Sequence, residues 1–249
     1  MLKEARFRYI LEVLHREGQV RLKALSEELR VSTDTVRRDL TTLAERGSLT
    51  PVRGGALPVS GVPSAYRARE QQATAAKEQI ARKALTLIED GQLIMLDGGT
   101  TAACLARLLY DRRGLTVVTN SFPIVTTLMD HPDVDVRFAG GKLHRNYRIA
   151  VGPETIDFLR QFRATWSFLG TFGLHPGAGL TVADDREAAV KRAMIQSADR
   201  VAAMVTNDKL GKAEPNVVCG LADLDTLITS DDILADDLRS YRQPRLRML

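Results

Sequence analysis

Leu29-Arg30-Val31-Ser32-Thr33-Asp34-Thr35-Val36-Arg37-Arg38-Asp39-Leu40 is the stretch on which the reading of this 249-residue chain turns. Val36 and Leu40, with Leu43 beyond, recur at helical spacing, and Ser32 stands where its hydroxyl can accept a free N–H at a helix start. Upstream, Phe7, Ile10, Leu11 and Leu14 form one apolar stripe and Leu22, Leu25 and Leu29 another. Short amphipathic helices are therefore predicted in succession. Gly47 marks the end of the last, and Leu49–Val52 followed by Arg53-Gly54-Gly55 predicts a hairpin or wing. Helices joined by a tight turn, with a wing behind, make a helix-turn-helix that lays one helix in a DNA groove. A small helical module that binds protein is the alternative; the wing and the paired arginines favour DNA.

The polar residues of the third helix suit that task. Ser32, Thr33 and Thr35 bring short hydroxyls near the helix N-terminus, where phosphates and base edges lie, and Arg37 is long enough for a guanine edge. Such a bidentate contact is worth roughly 1–3 kcal/mol of discrimination. Arg38 has two readings, a phosphate contact or an ion pair with Asp34 one turn earlier. Arg53 reads either as a minor-groove or phosphate contact or as a solvated turn.

Charge agrees with this placement. The chain has 35 Lys+Arg against 31 Asp+Glu, and residues 1–58 alone hold 11 bases against 8 acids. The rest is nearly neutral. Cys104 and Cys219 cannot form a disulfide framework, which implies a reducing, cytoplasmic setting. No apolar run approaches the roughly 20 residues that span a bilayer, and the first residues, MLKEARFRYILEVLHREG, are too charged for a signal peptide.

Between Leu57 and Thr74 the chain turns Pro- and Gly-bearing and then polar, so residues 1–58 read as a DNA-binding domain, 59–73 as a linker and 74–249 as a second domain. A helix is expected from Thr74 to about Glu89. Apolar runs then alternate with helical stretches: Gln92–Leu96, Leu115–Thr119, Val134–Ala139, Trp166–Gly170, Val201–Thr206 and Leu227–Ser230. That is an α/β domain with a mostly parallel sheet. Trp166 and Phe168 are expected in its core.

In such sheets ligands bind beyond the carboxyl ends of the strands. The runs there are Asp97-Gly98-Gly99-Thr100-Thr101, Thr119-Asn120-Ser121, Gly140-Gly141-Lys142 and Asn207-Asp208-Lys209. Glycines let N–H groups approach an anion, hydroxyls add donors, and a following helix adds partial positive charge. Together they suggest a phosphate cradle, although each alone is also an ordinary strand-to-helix turn. Asp97 or Glu187 can accept sugar hydroxyls, and Lys191 or Lys209 can neutralise phosphate. Glu187 and Lys191 are equally well read as a surface i,i+4 pair. No GxxxxGK[ST] run is present, Gly177-Ala178-Gly179 is no dinucleotide fingerprint, and the histidines lack metal-ligand spacing. No cofactor and no metal are expected.

The core Val31-Ser32-x-x-Thr35-Val36-Arg37-Arg38-Asp39-Leu40, continued by Leu43, Gly47, Leu49 and Arg53-Gly54-Gly55-Ala56, resembles the winged helix-turn-helix of the DeoR family of bacterial transcriptional regulators. Pro51 and Arg53 depart from its usual Arg and His. The resemblance extends over nearly the whole chain: Asp97–Thr101, Thr119-Asn120, Ala139-Gly140-Gly141, Val151-Gly152-Pro153-Glu154 and Glu187-x-x-x-Lys191-Arg192 are similar to the DeoR-type sensor domain. It implies a fold similar to ribose-5-phosphate isomerase and an effector that is a phosphorylated sugar or related metabolite. Thr206 departs from the acid usual at that position, while Lys209 is kept.

The leading expectation is a regulator, most often a repressor in this family, of a carbohydrate-metabolism operon. It binds a double-stranded DNA operator as a homo-oligomer and answers to a phosphorylated sugar. A sugar-phosphate isomerase-like enzyme using Asp97 and Glu187 as acid and base is the alternative. Architectural DNA binding would leave the second domain without a purpose.

Overall fold

The apolar stripes of the N-terminal segment meet in one core. In the computed structural model, which describes every residue except 1, 2, 18, 19, 46, 47, 53 and 58–65, the chain divides into two units, Met1–Ser64 and Ala65–Leu249. The first unit is built from α1 (Lys3–Glu17), β1 (Val20–Arg21), α2 (Leu22–Leu29), α3 (Thr33–Glu45), β2 (Thr50–Val52) and β3 (Gly55–Leu57). Phe7, Ile10, Val13 and Leu14 from α1, Leu25 and Leu29 from α2, and Val36, Leu40 and Leu43 from α3 share its core. These are the stripes read from helical spacing, with Val13 added and with Leu11 and Leu22 only partly buried at the edge.

The expected hairpin is β2 and β3, paired antiparallel, and β1 adds a third strand to it in the order β1-β3-β2. A two-residue strand is too short for periodicity to reveal, so β1 was not foreseen. Gly55 makes the pairing possible: a Cβ there would lie 1.9 Å from the carbonyl oxygen of Val20. Gly47 and Arg53, on which the helix end and a wing contact were placed, lie outside the described residues.

The second unit opens with α4 (Tyr66–Glu70) and α5 (Thr74–Leu85). Residues 66–73 were expected in the linker, yet Tyr66 is buried and its N–H donates to the Asn146 carbonyl at 2.9 Å. An aromatic in a polar stretch gave no periodic signal of its own. The α5 helix also ends four residues before the expected Glu89, because Leu87 and Ile88 bond to the carbonyls three residues back and tighten the last turn.

The alternation that follows is β4 (Leu93–Leu96), α6 (Thr100–Arg107), β5 (Leu115–Thr119), α7 (Phe122–Leu128), β6 (Val134–Phe138), the hairpin β7 (Lys142–His144) and β8 (Ile149–Val151), α8 (Pro153–Leu159) and β9 (Ala164–Gly170). Then come β10 (Gly173–His175), β11 (Gly179–Val182), α9 (Asp185–Gln196), β12 (Ala198–Val205), β13 (Asn216–Cys219), β14 (Thr226–Thr229) and β15 (Arg247–Met248). Seven strands form one parallel sheet in the order β15-β14-β12-β9-β4-β5-β6. Both faces are covered, and the strand period shows it: Ile94, Leu96, Trp166 and Phe168 pack with α5, α6 and α7, whereas Met95, Leu169 and Val201 pack with α8 and α9. The antiparallel sheet β10-β11-β13 is an addition to the expected parallel one.

The order carries a consequence for function. From β4 the chain adds β5 and β6 on one side, then returns to pair β9 on the other side of β4. The direction of build-out reverses between β4 and β9. Such a switch point opens a crevice between the loops that leave the two strands.

Candidate functional site

Asp97 ends β4 and is buried at the switch point. One of its oxygens, Oδ2, accepts the N–H of Gly170 at 2.9 Å and a short hydrogen bond from Lys191 Nζ. Lys191 Nζ also donates to the Gly170 carbonyl at 3.0 Å and lies 3.3 Å from Glu187 Oε1. Asp97, Lys191 and Glu187 are 1%, 1% and 4% exposed. Glu187 and Lys191 are one turn apart on α9, so they face the same way, and Asp184 fixes the start of that helix by accepting from the N–H groups of Arg186 and Glu187. The reading of Glu187 and Lys191 as a surface pair does not hold, since α9 lies against the sheet.

Two carboxylates around one ammonium leave acceptors over. Among the described residues, Asp97 Oδ1 and Glu187 Oε2 are buried with no hydrogen-bond partner. Unsatisfied buried oxygens are costly, and beside a cavity they are free to accept from a bound donor. Burial pushes the Glu187 carboxyl up from its ordinary 4.5 to about 7, Lys191 opposing the rise and Asp97 adding to it. For Lys191, burial works against the charge, but Asp97 and Glu187 outweigh it and the net direction is upward.

These groups border a cavity of about 620 Å³. Gly98, Gly99, Thr100 and Thr101 line it from the end of β4, Gly170, Thr171 and Phe172 from the end of β9, and Thr206, Asn207, Asp208 and Lys209 from the end of β12. Gly99 caps α6 with φ +148°, a conformation that favours glycine, and the first turn of the helix, Thr100 and Thr101, lines the cavity. Lys209 Nζ pairs with Asp208 at 2.7 Å, and Thr206 Oγ1 donates to the other Asp208 oxygen at 2.6 Å.

Of the expected effector residues, Gly98, Gly99, Thr100, Thr101, Glu187, Lys191 and Lys209 line this cavity, and Asp97 lies directly behind it. Thr119, Asn120, Gly140 and Gly141 do not. They lie at the ends of β5 and β6, on the far side of β4 from β9, and several of their polar groups are bonded internally, although Asn120 Oδ1 is buried without a partner among the described residues. Thr119 Oγ1 donates to the Leu96 carbonyl, Asn120 Nδ2 to the Ala150 carbonyl, and the Gly140 carbonyl accepts from Thr155 Oγ1 at 2.7 Å. Arg69, Gln72, Lys77 and Phe172 line the cavity without having been expected there. Arg69 was read as linker, and no local pattern distinguishes it from Arg67.

The first unit offers a different surface. Ser32 Oγ accepts the Thr35 N–H at 3.2 Å, the cap its position predicts. Ser32, Thr33, Arg37 and Arg38 are exposed and Thr35 is partly so. It is Arg37, not Arg38, that meets Asp34, at 2.5 Å and three residues apart. Asp39, in the middle of the same run, is buried and takes two hydrogen bonds from Arg6, at 2.6 and 3.1 Å, which tie α1 to α3.

Two family models match the chain. The DeoR-like helix-turn-helix domain covers residues 6–61 and the DeoR C terminal sensor domain residues 72–231. The glycerol-3-phosphate regulon repressor of Escherichia coli is 35% identical over 213 residues, 85% of this chain and 84% of that protein. The HTH-type transcriptional repressor GlcR of Bacillus subtilis is 32% identical over 231 residues, 92% and 89% of the two chains. Among solved structures, ribose 5-phosphate isomerase A from Methanocaldococcus jannaschii aligns with 54% of this chain and 53% of its own, at 18% identity and a TM-score of 0.40.

Proposed function

Because the chain belongs to the DeoR family of transcriptional regulators, we propose that it represses an operon of carbohydrate metabolism and is released by a phosphorylated sugar held at the β4–β9 switch point. The observation that carries this reading is the convergence of three strand-end loops and a buried Asp97–Lys191–Glu187 cluster on one cavity. The Gly98–Thr101 turn at the start of α6 takes the phosphate, with Lys209 beside it. The sugar hydroxyls donate to Asp97 Oδ1 and Glu187 Oε2, two of the buried acceptors without a partner among the described residues. The carboxylates are read as hydroxyl acceptors rather than an acid–base pair, in keeping with the regulator names its relatives carry.

On the DNA side, Ser32, Thr33 and Thr35 contact phosphates or base edges at the start of α3, Arg37 reads a base, Arg38 a phosphate, and Arg53 a minor-groove edge or a phosphate. A homo-oligomer presents two such helices to two half-sites, since closed symmetry in the protein matches repeat symmetry in an operator. The setting is the cytoplasm, where DNA and phosphorylated sugars occur together and where the buried free thiols of Cys104 and Cys219 stay reduced.

Thermal-shift titration of the full chain with phosphorylated sugars and their unphosphorylated counterparts tests this. A ligand at 100 times its dissociation constant stabilises the native state by about 2.7 kcal/mol, so the effector raises the melting temperature and the phosphate-free analogue does not. Stabilisation by both alike would remove the phosphate from the reading.

A further inference from the structure

Arg69 lies outside every strand-end loop, yet it lines the same cavity. Its guanidinium carbon is 4.8 Å from the centroid of the Phe172 ring, 5.3 Å from Tyr147 and 5.9 Å from Tyr66. Three aromatic rings restrict its rotation and take it partly out of water. Burial pulls its pKa down, with Glu187 the foremost charge opposing that shift. A cation in this condition gains more from an arriving anion than a solvated one does, because less water has to be displaced and the local dielectric is lower. The planar guanidinium also matches the geometry of two phosphate oxygens.

The segment that carries Arg69 is anchored at both ends. Tyr66 is buried and bonded to Asn146. At the other end Lys77, itself 6% exposed and lining the cavity, donates from Nζ to the main-chain carbonyls of Arg69 and Gln72. The docking of α4 and of the turn into α5 therefore depends on a stacked guanidinium and a buried ammonium, and both border the cavity. In chain order α4 is the first element of the second unit, reached directly after residues 58–65.

We infer that Arg69 is a ligand of the effector's anionic group, and that through it occupancy of the cavity sets how firmly α4 is docked on the second unit. The inference rests on the reading of this cavity as the effector site. A ligand that binds Arg69 better in the docked state than in the loosened one shifts the population toward docking. The shift is delivered where the chain passes from the sensor to the DNA-binding unit.

Hydrogen exchange on the full chain tests it, with inorganic phosphate as the probe and chloride at matched ionic strength as the reference. Phosphate is expected to slow exchange of the amides of residues 98–101 and of 66–72 together. In Arg69→Ala, phosphate binds about tenfold or more weakly, and at saturation slows residues 98–101 only. Arg69→Lys keeps a charge without the planar fork, serves if the alanine variant does not fold, and recovers part of the affinity. A merely structural arginine would change exchange at 66–72 without phosphate but leave phosphate affinity as it was, and that result overturns the inference. Slowing of residues 98–101 alone in the unmodified protein overturns it too and leaves the effector site standing. Slowing at neither segment overturns both.

Discussion

Arg37 and Asp34 form an exposed ion pair at the start of α3, and pairs so open to water contribute between nothing and about 1 kcal/mol. Arg37 can therefore leave Asp34 for a base edge at little cost. Gel-shift titrations should find that Arg37→Ala weakens operator binding and relaxes specificity at one position by roughly 1–3 kcal/mol. Arg38→Ala should weaken all DNA evenly and reduce the salt slope by about 1. Operator binding by Arg37→Ala equal to that of the parent chain would remove the recognition role.

Glu187 sets a second expectation at the same scale. Its carboxyl, at about 7, holds a proton in the folded chain that the unfolded chain releases near 4.5. Stability tied to the neutral form is thus fully present below pH 4.5 and is lost as pH rises to about 7. The same proton makes the cavity one charge more positive below pH 7. Anion affinity should tighten severalfold from pH 8 to pH 6, beyond what Glu187→Gln shows over that range. The ligand's own ionisation cancels in the comparison, and identical pH profiles for the two proteins would contradict the assignment.

Among the elements, α3 has two duties on opposite faces. Val36, Leu40 and Leu43 face the core while Asp39 clamps Arg6 of α1, so the helix that presents Arg37 is itself held in place. Asp39→Ala should cost on the order of 2 kcal/mol of unfolding free energy, the value of charge-assisted hydrogen bonds at a part-buried site. Arg37→Ala should stay within about 0.5 kcal/mol, as exposed substitutions do. Equilibrium denaturation of the two variants separates the structural carboxylate from the functional arginine. The wing depends on Gly55 in a similar way. A methyl there meets the Val20 carbonyl, a backbone atom with no room to give, so Gly55→Ala should part β1 from β3 and lower the melting temperature.

For the whole molecule, DNA binding and effector binding are assigned to different units, so a variant can lose one and keep the other. Asp97→Asn removes a charge from the buried cluster of the second unit. It should bind operator DNA as the parent chain does and no longer respond to the effector, a pattern that gel shifts with and without ligand resolve. Loss of DNA binding in that variant would mean that the cluster serves folding rather than sensing.

The elements themselves were legible from residues. Periods of 3.6 and 2 are set by local geometry, so the stripes of α1 to α3, the Ser32 cap, and strands such as β5 at Leu115–Thr119 fall close to where spacing puts them. The Gly98–Thr101 turn and Lys209 were also visible, since glycine, hydroxyl and lysine after an apolar run are local signs. What no local pattern encodes is the order of strands in the sheet. That order is chosen by the long-range packing of α5, α6 and α7 on one face and α8 and α9 on the other. It brought the ends of β4, β9 and β12 together, left Thr119, Asn120, Gly140 and Gly141 on the far side, and buried Glu187 and Lys191, which sequence spacing fits equally well to a solvated helix face. It also drew Arg69 out of an expected linker into the cavity wall. Which segments fold, and what chemistry they carry, follows from neighbours along the chain; which of those groups share one site follows from the packed sheet, because proximity across it is settled by burial of whole faces.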